Sequence, residues 1–496
     1  MRPMRKSLLI GTVCFAFGAG AMAYADQQVK AAKAEPYRMI ELFGDVLVTV
    51  KQRYVVPVDD KKLIQAAIQG MLSSLDPHSN YLDPQALNDV RDENRGQYGG
   101  LGLEVTSEEG AVKVITPMDG GPAGALGMQS GDYITAIDGK SVVGLPLNDA
   151  VKQMRGPVGT AVTLTVIRDK QNPFNLKVTR ALIQTRAVTS KLVGDYGYLR
   201  VSTFLDEKTG DETVAALKDF RAKNPHLKGV VLDLRNNGGG IVDQAVEVAG
   251  AFLDGGEVVS QRGRDPKDVQ RLFAKPGGDL VRGLPVVVLI NNGSASASEI
   301  VAGALKDRHR ATVVGLTSFG KGSVQSEIPL AGGEDGALLL TTARYFTPSG
   351  GSIQKTGIAP DLAVARSKAQ AELVYDDAAQ YSEASFKNAL DSQEGRARET
   401  PKAIEIPAEA PEAKDKDEKP QIISAYKLTE ADLAKDFQFQ RALDVLKYGS
   451  VEAAQKAHPL PLYTPPKPTF AKLDKGADKE AKPAAASAKP SEKPQR

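Results

Sequence analysis

Residues 284–299 read LPVVVLINNGSASASE, an apolar run followed by a segment of small and polar residues. The run has the length and the β-branched content of a buried strand. The same pattern occurs twice more: residues 311–314 (ATVV) precede 319–325 (FGKGSVQ), and residues 229–234 (GVVLDL) precede 236–240 (NNGGG). Each small-residue segment therefore begins where a buried strand is predicted to end.

These segments lie in a region that is predicted to be an α/β unit. Strand-like and helix-like runs alternate from about residue 187 to 365, which indicates a partly parallel sheet. In such sheets functional sites collect at the carboxyl ends of the strands. We therefore expect a serine, a lysine and a flexible glycine backbone to meet at one edge of the sheet.

A serine hydroxyl is a good nucleophile only when a base removes its proton. No histidine has a convincing catalytic motif around it, and a Ser-His-Asp triad is the less favoured reading; the four are His78, His226, His309 and His458. A lysine can act instead when burial leaves it uncharged. Lys321 has small neighbours on both sides, and Gln325 lies four residues further on, close enough to orient its amine.

Ser296 is flanked by alanines, which leave room for a substrate backbone, and a helix is predicted from residue 299 to 307. The amide of Ala297 could form one half of an oxyanion hole, and Gly239 or a neighbouring glycine the other, since only backbone without a side chain can approach so closely. Helix capping remains a competing role for Ser294, Ser296 and Ser298. Phosphate binding by residues 315–321 is disfavoured, because Gly322 stands where a P-loop needs Ser or Thr.

The first 25 residues are predicted to be a signal peptide. A basic start is followed by an apolar stretch over residues 8–21 and by Ala23-Tyr24-Ala25, a small-x-small cleavage site. The alternative is an uncleaved membrane anchor. We expect an exported protein of the periplasm or cell envelope, with no stable membrane insertion after cleavage.

Composition excludes several classes of function. Cys14, the only cysteine, lies in the predicted signal peptide, so the mature chain has neither disulfides nor thiolate metal sites. The chain has 63 basic and 61 acidic side chains, a balance that argues against a general nucleic-acid or anionic-membrane surface. We predict no metal and no cofactor.

The remaining regions differ from the α/β unit. Residues 37–51 and 61–74 have helical periodicity, and the following turn LDPHS (75–79) contains His78, which we expect to be structural. Residues 429–448 are predicted to be a helix. Residues 400–421 and 472–496 are rich in Pro, Ala, Lys and Glu and are predicted to be disordered.

The β-rich stretch from residue 97 resembles a PDZ domain. The resemblance rests on residues 99–103, GGLGL, before a strand, on a later helix near 147–154, and on GPAG (121–124) and SGDYI (130–134). It implies a groove that adds a ligand's carboxyl-terminal segment as a strand and captures its carboxylate on backbone amides. The peptide-binding candidates are Gly99, Gly100, Leu101, Gly102 and Leu103, whereas a tight hairpin is the alternative role for these glycines.

Five ordered motifs resemble the carboxy-terminal processing (tail-specific) proteases. They are LDPHSNYL (75–82), LDLRNNGGG (232–240), NNGSASASE (291–299), FGKGSVQ (319–325) and YFTPSGG (345–351). The resemblance implies Ser296 as nucleophile, Lys321 as general base and Gln325 as its orienting residue. It also implies a multidomain α/β protein whose core is of the ClpP/crotonase-like type, acting on proteins with apolar free carboxyl termini. Homo-oligomers and an envelope adaptor are possible partners.

The predicted domain plan has six parts. They are a signal peptide (1–25), a helical region (26–96), a PDZ domain (97–185), a catalytic α/β core (186–366), a C-terminal helical region with a disordered insert (367–457) and a disordered tail (458–496). The predicted function is an exported serine endopeptidase that recognises protein carboxyl termini through its PDZ domain. The alternative is a catalytically silent PDZ scaffold.

Overall fold

The computed structural model describes residues 37–94, 97–108, 111–117, 121–129, 131–145, 147–168, 172–184, 187–375, 382–392, 398–408 and 429–464. The predicted signal peptide lies outside these ranges. So do residues 409–421 of the predicted disordered insert and residues 465–496 of the predicted tail.

The N-terminal region consists of helices and one short strand. Helix α1 covers residues 37–53, and the others are α2 (Asp60–Ser73), β1 (Asn80–Leu82) and α3 (Pro84–Asn94). The side chain of Asp59 caps α2 by accepting a hydrogen bond from the amide of Lys62. The two helices predicted from periodicity are therefore confirmed, and the LDPHS turn connects α2 to β1.

The region predicted to be a PDZ domain is a small mixed domain with its own apolar core. Its elements are β2 (Gln97–Gly100), β3 (Leu103–Glu108), β4 (Ala111–Pro117), α4 (Pro122–Ala125), β5 (Tyr133–Ile137), β6 (Lys140–Ser141), α5 (Leu147–Met154), β7 (Ala161–Ile167), β8 (Phe174–Thr179) and β9 (Ala181–Gln184). The main sheet has the order β3-β4-β5-β7-β8, so β3 is an edge strand among the described residues. Gly99 and Gly100, predicted to belong to a loop, instead end β2, which pairs with β9.

The catalytic core predicted for residues 186–366 is built on a six-stranded sheet of order β10-β11-β12-β15-β16-β19. The strands are β10 (Val188–Val193), β11 (Tyr196–Val201), β12 (Gly229–Asp233), β15 (Val286–Ile290), β16 (Thr312–Gly315) and β19 (Leu362–Ala363). Strand β10 is antiparallel to β11, and every other neighbouring pair is parallel. The predicted, partly parallel sheet and its three buried strands are confirmed.

Helices cover both faces of this sheet. On one face lie α6 (Thr209–Lys223), α7 (Val242–Gly250) and α8 (Ala297–Asp307), and on the other lie α10 (Glu430–Lys435), α11 (Phe437–Tyr448) and α12 (Val451–Ala457). The single helix predicted over residues 429–448 is in fact two helices. Asp436 has extended backbone between them, and its side chain caps α11 by accepting from the amide of Phe439.

A second, five-stranded sheet lies beside the first. It contains β1, β13 (Gly256–Gly263), β14 (Val269–Ala274), β17 (Ser323–Pro329) and β18 (Ala337–Phe346). Because β1 pairs with β18, the N-terminal region is continuous with the core. The remaining helix is α9 (Lys368–Leu373).

Two segments that composition predicted to be disordered contain ordered structure. Strand β20 (Ile404–Glu405), within the predicted insert, pairs with β21 (Leu462–Tyr463) near the start of the predicted tail. Ile404 is fully buried in a small apolar cluster. The low apolar content of the surrounding residues concealed this short buried stretch.

Candidate active site

The three small-residue segments meet at the carboxyl ends of β12, β15 and β16, which are neighbours in the sheet. They are the glycine loop (236–240), the serine segment (291–299) and the lysine segment (319–325). The segments are hydrogen-bonded to one another. The amide of Ala295 donates to the carbonyl of Asn237 at 3.0 Å, and the amide of Phe319 donates to the carbonyl of Ser294 at 2.9 Å. The sheet order therefore brings Ser296, Lys321 and Gly239 into one region of the molecule.

Ser296 has an unusual backbone conformation directly before α8. Its φ of 53° and ψ of −112° are strained for a residue with a side chain, at a cost of about 1–3 kcal/mol. The neighbouring serines anchor the glycine loop: the hydroxyl of Ser298 donates to the carbonyl of Asn237, and that of Ser294 to the carbonyl of Leu234, both at 2.8 Å. Strain of this kind is found at functional sites, where surrounding contacts maintain it.

Glu299 connects the serine segment to the lysine segment. One carboxylate oxygen, Oε2, accepts from the amides of Ser296 at 2.7 Å and Lys321 at 2.9 Å. The other, Oε1, accepts from the hydroxyl of Ser318 at 2.5 Å and the amide of Gly320 at 2.6 Å. Burial raises the pKa of Glu299 to about 7, although these four hydrogen bonds oppose the rise.

Glu299 is a candidate functional residue that the sequence pattern indicated only as the start of a helix. A signal was nevertheless present. Ser296 and Glu299 have the Ser-x-x-Glu spacing of a capping box, in which a glutamate accepts from the backbone amide at the start of its helix. The Ser296 amide donates to Glu299 in this way, but the links to the lysine segment depend on tertiary structure.

Lys321 is partly buried beside several carboxylates. Burial lowers the pKa of its amine below the ordinary value, while Glu383, Glu299 and Asp76 act in the opposite direction. A lowered pKa is what a lysine needs in order to act as a base near neutral pH. The contribution of Glu383 and Asp76 could not be seen in the sequence, because they lie far from Lys321 along the chain.

Gln325 lies on β17. Its side-chain nitrogen Nε2 donates to the hydroxyl of Ser323 at 3.0 Å and to that of Thr341 at 3.1 Å. These bonds fix the orientation of the amide. Its role in orienting the amine of Lys321 stays a prediction.

Gly239 packs tightly against the serine segment. A Cβ atom built on Gly239 would lie 2.8 Å from the carbonyl oxygen of Ala295 and 2.9 Å from the amide nitrogen of Ala297, and its φ is 100°. The position therefore needs glycine. Its amide, however, donates to Oδ1 of Asn237 at 2.9 Å, so in this conformation it is bonded within its own loop rather than available to an oxyanion.

A buried ion-pair network lies at the start of the glycine loop. The guanidinium of Arg235 contacts the carboxylates of Asp233 and Asp436, each at 2.6 Å. Burial of Asp233 raises its pKa, but the charge and hydrogen bonds of Arg235, together with the charge of Arg200, outweigh burial and bring the pKa below the ordinary range. Because Asp436 begins α11, the C-terminal helices help to hold the loop that leads to Gly239.

The LDPHS turn and a distant C-terminal segment also meet near the lysine. Nε2 of His78 lies 2.8 Å from Oε2 of Glu383. Asp76 accepts from the hydroxyl of Ser79 at 2.6 Å, and this hydroxyl accepts from the amide of Thr341 at 3.1 Å. His78, predicted to be structural and without a visible partner, therefore has a partner 305 residues away.

The predicted peptide-binding residues occupy one end of the small domain. Leu101 is buried in its apolar core, and Leu103 is the first residue of the edge strand β3. Gly102 has a φ of 67°, and a Cβ there would lie 2.8 Å from Cα of Gly121, so only glycine fits. Of the five residues, Leu101 and Gly102 form the turn between β2 and β3.

Comparison with known proteins agrees with this architecture. Residues 195–364 match the model of peptidase family S41, residues 113–168 that of a PDZ domain, and residues 18–86 that of the activating protease CtpB N-terminal domain. The chain is also 54% identical over 331 residues to a carboxy-terminal-processing protease of Bartonella bacilliformis, covering 66% of this chain and 75% of the relative. The chain belongs to peptidase family S41. It is therefore a serine-type peptidase with a PDZ domain, and the predicted resemblance to carboxy-terminal processing proteases is confirmed.

Other S41-family matches are more distant. A probable CtpA-like serine protease of Staphylococcus aureus is 34% identical over 370 residues, covering 73% of each chain. The solved structure of a photosystem II D1 C-terminal processing protease is 31% identical with a TM-score of 0.43, covering 64% of this chain and 91% of the other.

The described residues contain neither a membrane-spanning helix nor a cluster of metal-binding side chains. None of their helices combines the length and the apolar character needed to cross a bilayer. Nor do they contain a group of three or more His, Cys, Asp or Glu side chains arranged to hold a metal ion.

Proposed function

We propose that this S41 peptidase is an exported endopeptidase that uses a Ser-Lys dyad, with Ser296 as nucleophile and Lys321 as general base. The observation that carries the proposal is the Glu299 carboxylate, whose Oε2 accepts from the amides of both residues at 2.7 and 2.9 Å. The strained backbone of Ser296 and the burial that lowers the pKa of Lys321 support the same assignment. Export is proposed from the signal-peptide pattern of residues 1–25.

In this mechanism Oγ of Ser296 attacks a peptide carbonyl while the neutral amine of Lys321 takes its proton. Lys321 then gives the proton to the leaving amine. In the second step the amine of Lys321 accepts a proton from the attacking water and returns it to Oγ of Ser296 as the acyl-enzyme is hydrolysed. The amide of Ala297 donates to the developing oxyanion. The amide of Gly239 joins it by exchanging its bond with Asn237 for one with the oxyanion, while Gln325 orients the lysine amine.

The PDZ domain supplies substrate selection in this proposal. Its edge strand β3 can pair with an extended peptide, and the turn at Leu101 and Gly102 presents backbone amides to a terminal carboxylate. The names of the carboxy-terminal processing relatives support protein carboxyl termini as the ligands. We therefore propose that apolar free carboxyl termini are held there while bonds in the same substrate are cut.

The test is incubation of the purified mature protein with an unstructured protein that ends in small apolar residues. We expect internal peptide bonds to be cleaved, and the Ser296→Ala variant to bind the substrate without cutting it. Cleavage that survives Ser296→Ala would refute the proposed nucleophile. Binding without cleavage by the parent chain, with or without added envelope extract, would favour the scaffold function instead.

A further inference from the structure

Two side chains that the proposed mechanism does not use form a pair beside the lysine segment. His78 and Glu383 are 2.8 Å apart, and their side chains have relative exposures of 16% and 0%. His78 comes from the turn after α2, and Glu383 begins a short 3-10 turn, Glu383–Ser385. A buried carboxylate is costly unless it has hydrogen bonds or an opposite charge, so the position of this pair requires an explanation.

Glu383 is attached to the lysine segment on both sides of Lys321. Its amide donates to the carbonyl of Phe319 at 3.1 Å. Its Oε1 accepts from Nε2 of Gln354 at 2.9 Å, and Oε1 of Gln354 accepts from the amide of Gly322 at 2.9 Å. A continuous set of hydrogen bonds thus runs from His78 through Glu383 to the backbone next to Lys321.

Aromatic packing supports the same arrangement. The ring of Phe386 lies edge-on to the imidazole of His78, with centroids 6.2 Å apart, and is 6.0 Å from the ring of Phe319. The imidazole, the 3-10 turn and the lysine segment therefore pack as one unit, so a change at His78 can reach Lys321 without passing through solvent.

The charged groups that face Lys321 come from three elements. Glu383 exerts the strongest charge effect, followed by Glu299 of α8 and Asp76 of the LDPHS turn. Arg398 donates to the carbonyls of Thr317 and Phe319, and its positive charge interacts with Glu299. Of the three carboxylates, Glu383 is the one paired with an imidazole, whose charge can change near neutral pH.

We propose that His78 and Glu383 form a positioning pair that holds the Lys321 segment, and that the proton on His78 offsets the Glu383 charge acting on the lysine amine. The inference rests on the proposed role of Lys321 as general base. When His78 is protonated the pair has no net charge, which favours the neutral amine that accepts a proton. When His78 is neutral, the full charge of Glu383 favours the ammonium form.

The experiment measures the Lys321 amine directly in the full mature chain. Lysine side chains are isotopically labelled in the Ser296→Ala background, the Lys321 signal is assigned by Lys321→Arg, and its titration is followed by NMR. His78→Gln keeps a hydrogen-bond donor to Glu383 but removes the exchangeable charge, so the titration midpoint should rise. Glu383→Gln removes the negative charge and should lower it. The control is Glu372→Gln, at an exposed position on α9. It changes the net charge by the same amount as Glu383→Gln but should leave the Lys321 titration midpoint unchanged.

The same substitutions in the active chain give a second readout. We compare kcat/KM at one pH on the acid limb of the pH profile. The value for His78→Gln should be several-fold lower than that of the parent, and the value for Glu383→Gln several-fold higher. Midpoints that do not move, or that move in the same direction, would overturn the proposal. If His78→Gln does not fold, the direction of the Glu383→Gln shift decides the matter, because a purely structural role predicts no fall in the midpoint.

The outcome separates this inference from the proposed function. If the midpoints shift in opposite directions while Lys321→Ala retains activity, the pair acts as inferred but Lys321 is not the base. If Lys321→Ala is inactive and the midpoints do not move, the proposed function stands and the role of the pair is refuted.

Discussion

Glu299 and Lys321 are joined through the backbone: Oε2 of Glu299 accepts from the amide of Lys321 at 2.9 Å, and the same oxygen accepts from the amide of Ser296 at 2.7 Å. A single buried side chain therefore fixes the separation of two residues that are 25 positions apart. The helix that begins after the proposed nucleophile also positions the proposed base.

Replacing Glu299 with Gln should disturb both segments. An amide retains only one acceptor oxygen, so its NH2 group would face either the pair of backbone amides or Ser318 and the amide of Gly320. Because small misplacement of reacting groups is costly, we expect kcat to fall by about 100-fold with little change in KM. Steady-state kinetics on an unstructured substrate would measure this. Glu334→Gln, at an exposed site, serves as the control, and near-parental kcat in Glu299→Gln would contradict the positioning role.

The glycine loop offers a matched pair of substitutions. Gly239→Ala would place a methyl group 2.8–2.9 Å from three atoms of the serine segment at a φ of 100°, whereas a Cβ on Gly238 would meet nothing within 4 Å. We expect Gly239→Ala to abolish cleavage and to reduce the free energy of unfolding by a few kcal/mol, while Gly238→Ala changes stability by about 1 kcal/mol or less. Denaturant titrations of both variants, with cleavage assays of Gly239→Ala, would show whether the close approach matters.

Activity should fall as the pH is lowered. Burial lowers the pKa of Lys321 and so leaves more neutral amine than an exposed lysine would have, but the neutral fraction still decreases with pH. Glu299, with a pKa of about 7, becomes protonated over the same range and loses acceptor capacity toward the amides that it holds. The measurement is kcat/KM from pH 9 to pH 5. A rate that stays constant down to pH 5 would contradict a lysine base.

The contribution of Glu299 to stability should change with pH in the direction opposite to activity, because it is larger at low pH. Because its pKa of about 7 lies above the ordinary 4.5, the folded chain binds a proton more tightly than the unfolded chain between these values. Its contribution to the free energy of unfolding therefore decreases as the pH rises through that window. Comparing denaturant titrations of the parent and Glu299→Gln at several pH values would reveal the difference, which should shrink or vanish in the variant.

Much of this site could be predicted from the sequence because its strands and loops are local features. Apolar runs indicated β12, β15 and β16, and their order in the sheet brought Ser296 and Lys321 together as expected. The pairing of charged residues that lie far apart in the sequence could not be predicted in the same way. Glu383 and His78 meet across 305 residues, and Asp436 reaches Arg235 across 201 residues, contacts that exist only after the chain has packed.

Composition also failed where a short apolar stretch lay among polar residues. Ile404 is buried and Glu405 forms a buried ion pair with Arg441 of α11 at 2.7 Å, although the surrounding composition predicted disorder. The break at Asp436 was missed for a related reason. Helical periodicity continues across residues 429–448, whereas Asp436 has extended backbone, caps α11 and pairs with the distant Arg235.

The PDZ domain should require a free carboxylate on its ligand. We expect that amidating the carboxyl terminus of a peptide with small apolar end residues will weaken binding by at least about tenfold, because backbone amides at Leu101 and Gly102 would lose a charged acceptor. Fluorescence anisotropy with the Ser296→Ala chain avoids cleavage during the measurement. Equal affinity for the acid and the amide would remove the carboxylate from the recognition scheme.

The most direct test of the Ser-Lys assignment is to trap the acyl-enzyme. The full mature chain is mixed with a slowly hydrolysed peptide ester, quenched in acid, and analysed by intact-protein and peptide mass spectrometry. The account predicts one acyl group on Ser296, absent from Ser296→Ala and formed far more slowly in Lys321→Ala. An acyl group on another residue, or one that forms at the parental rate without Lys321, would contradict it.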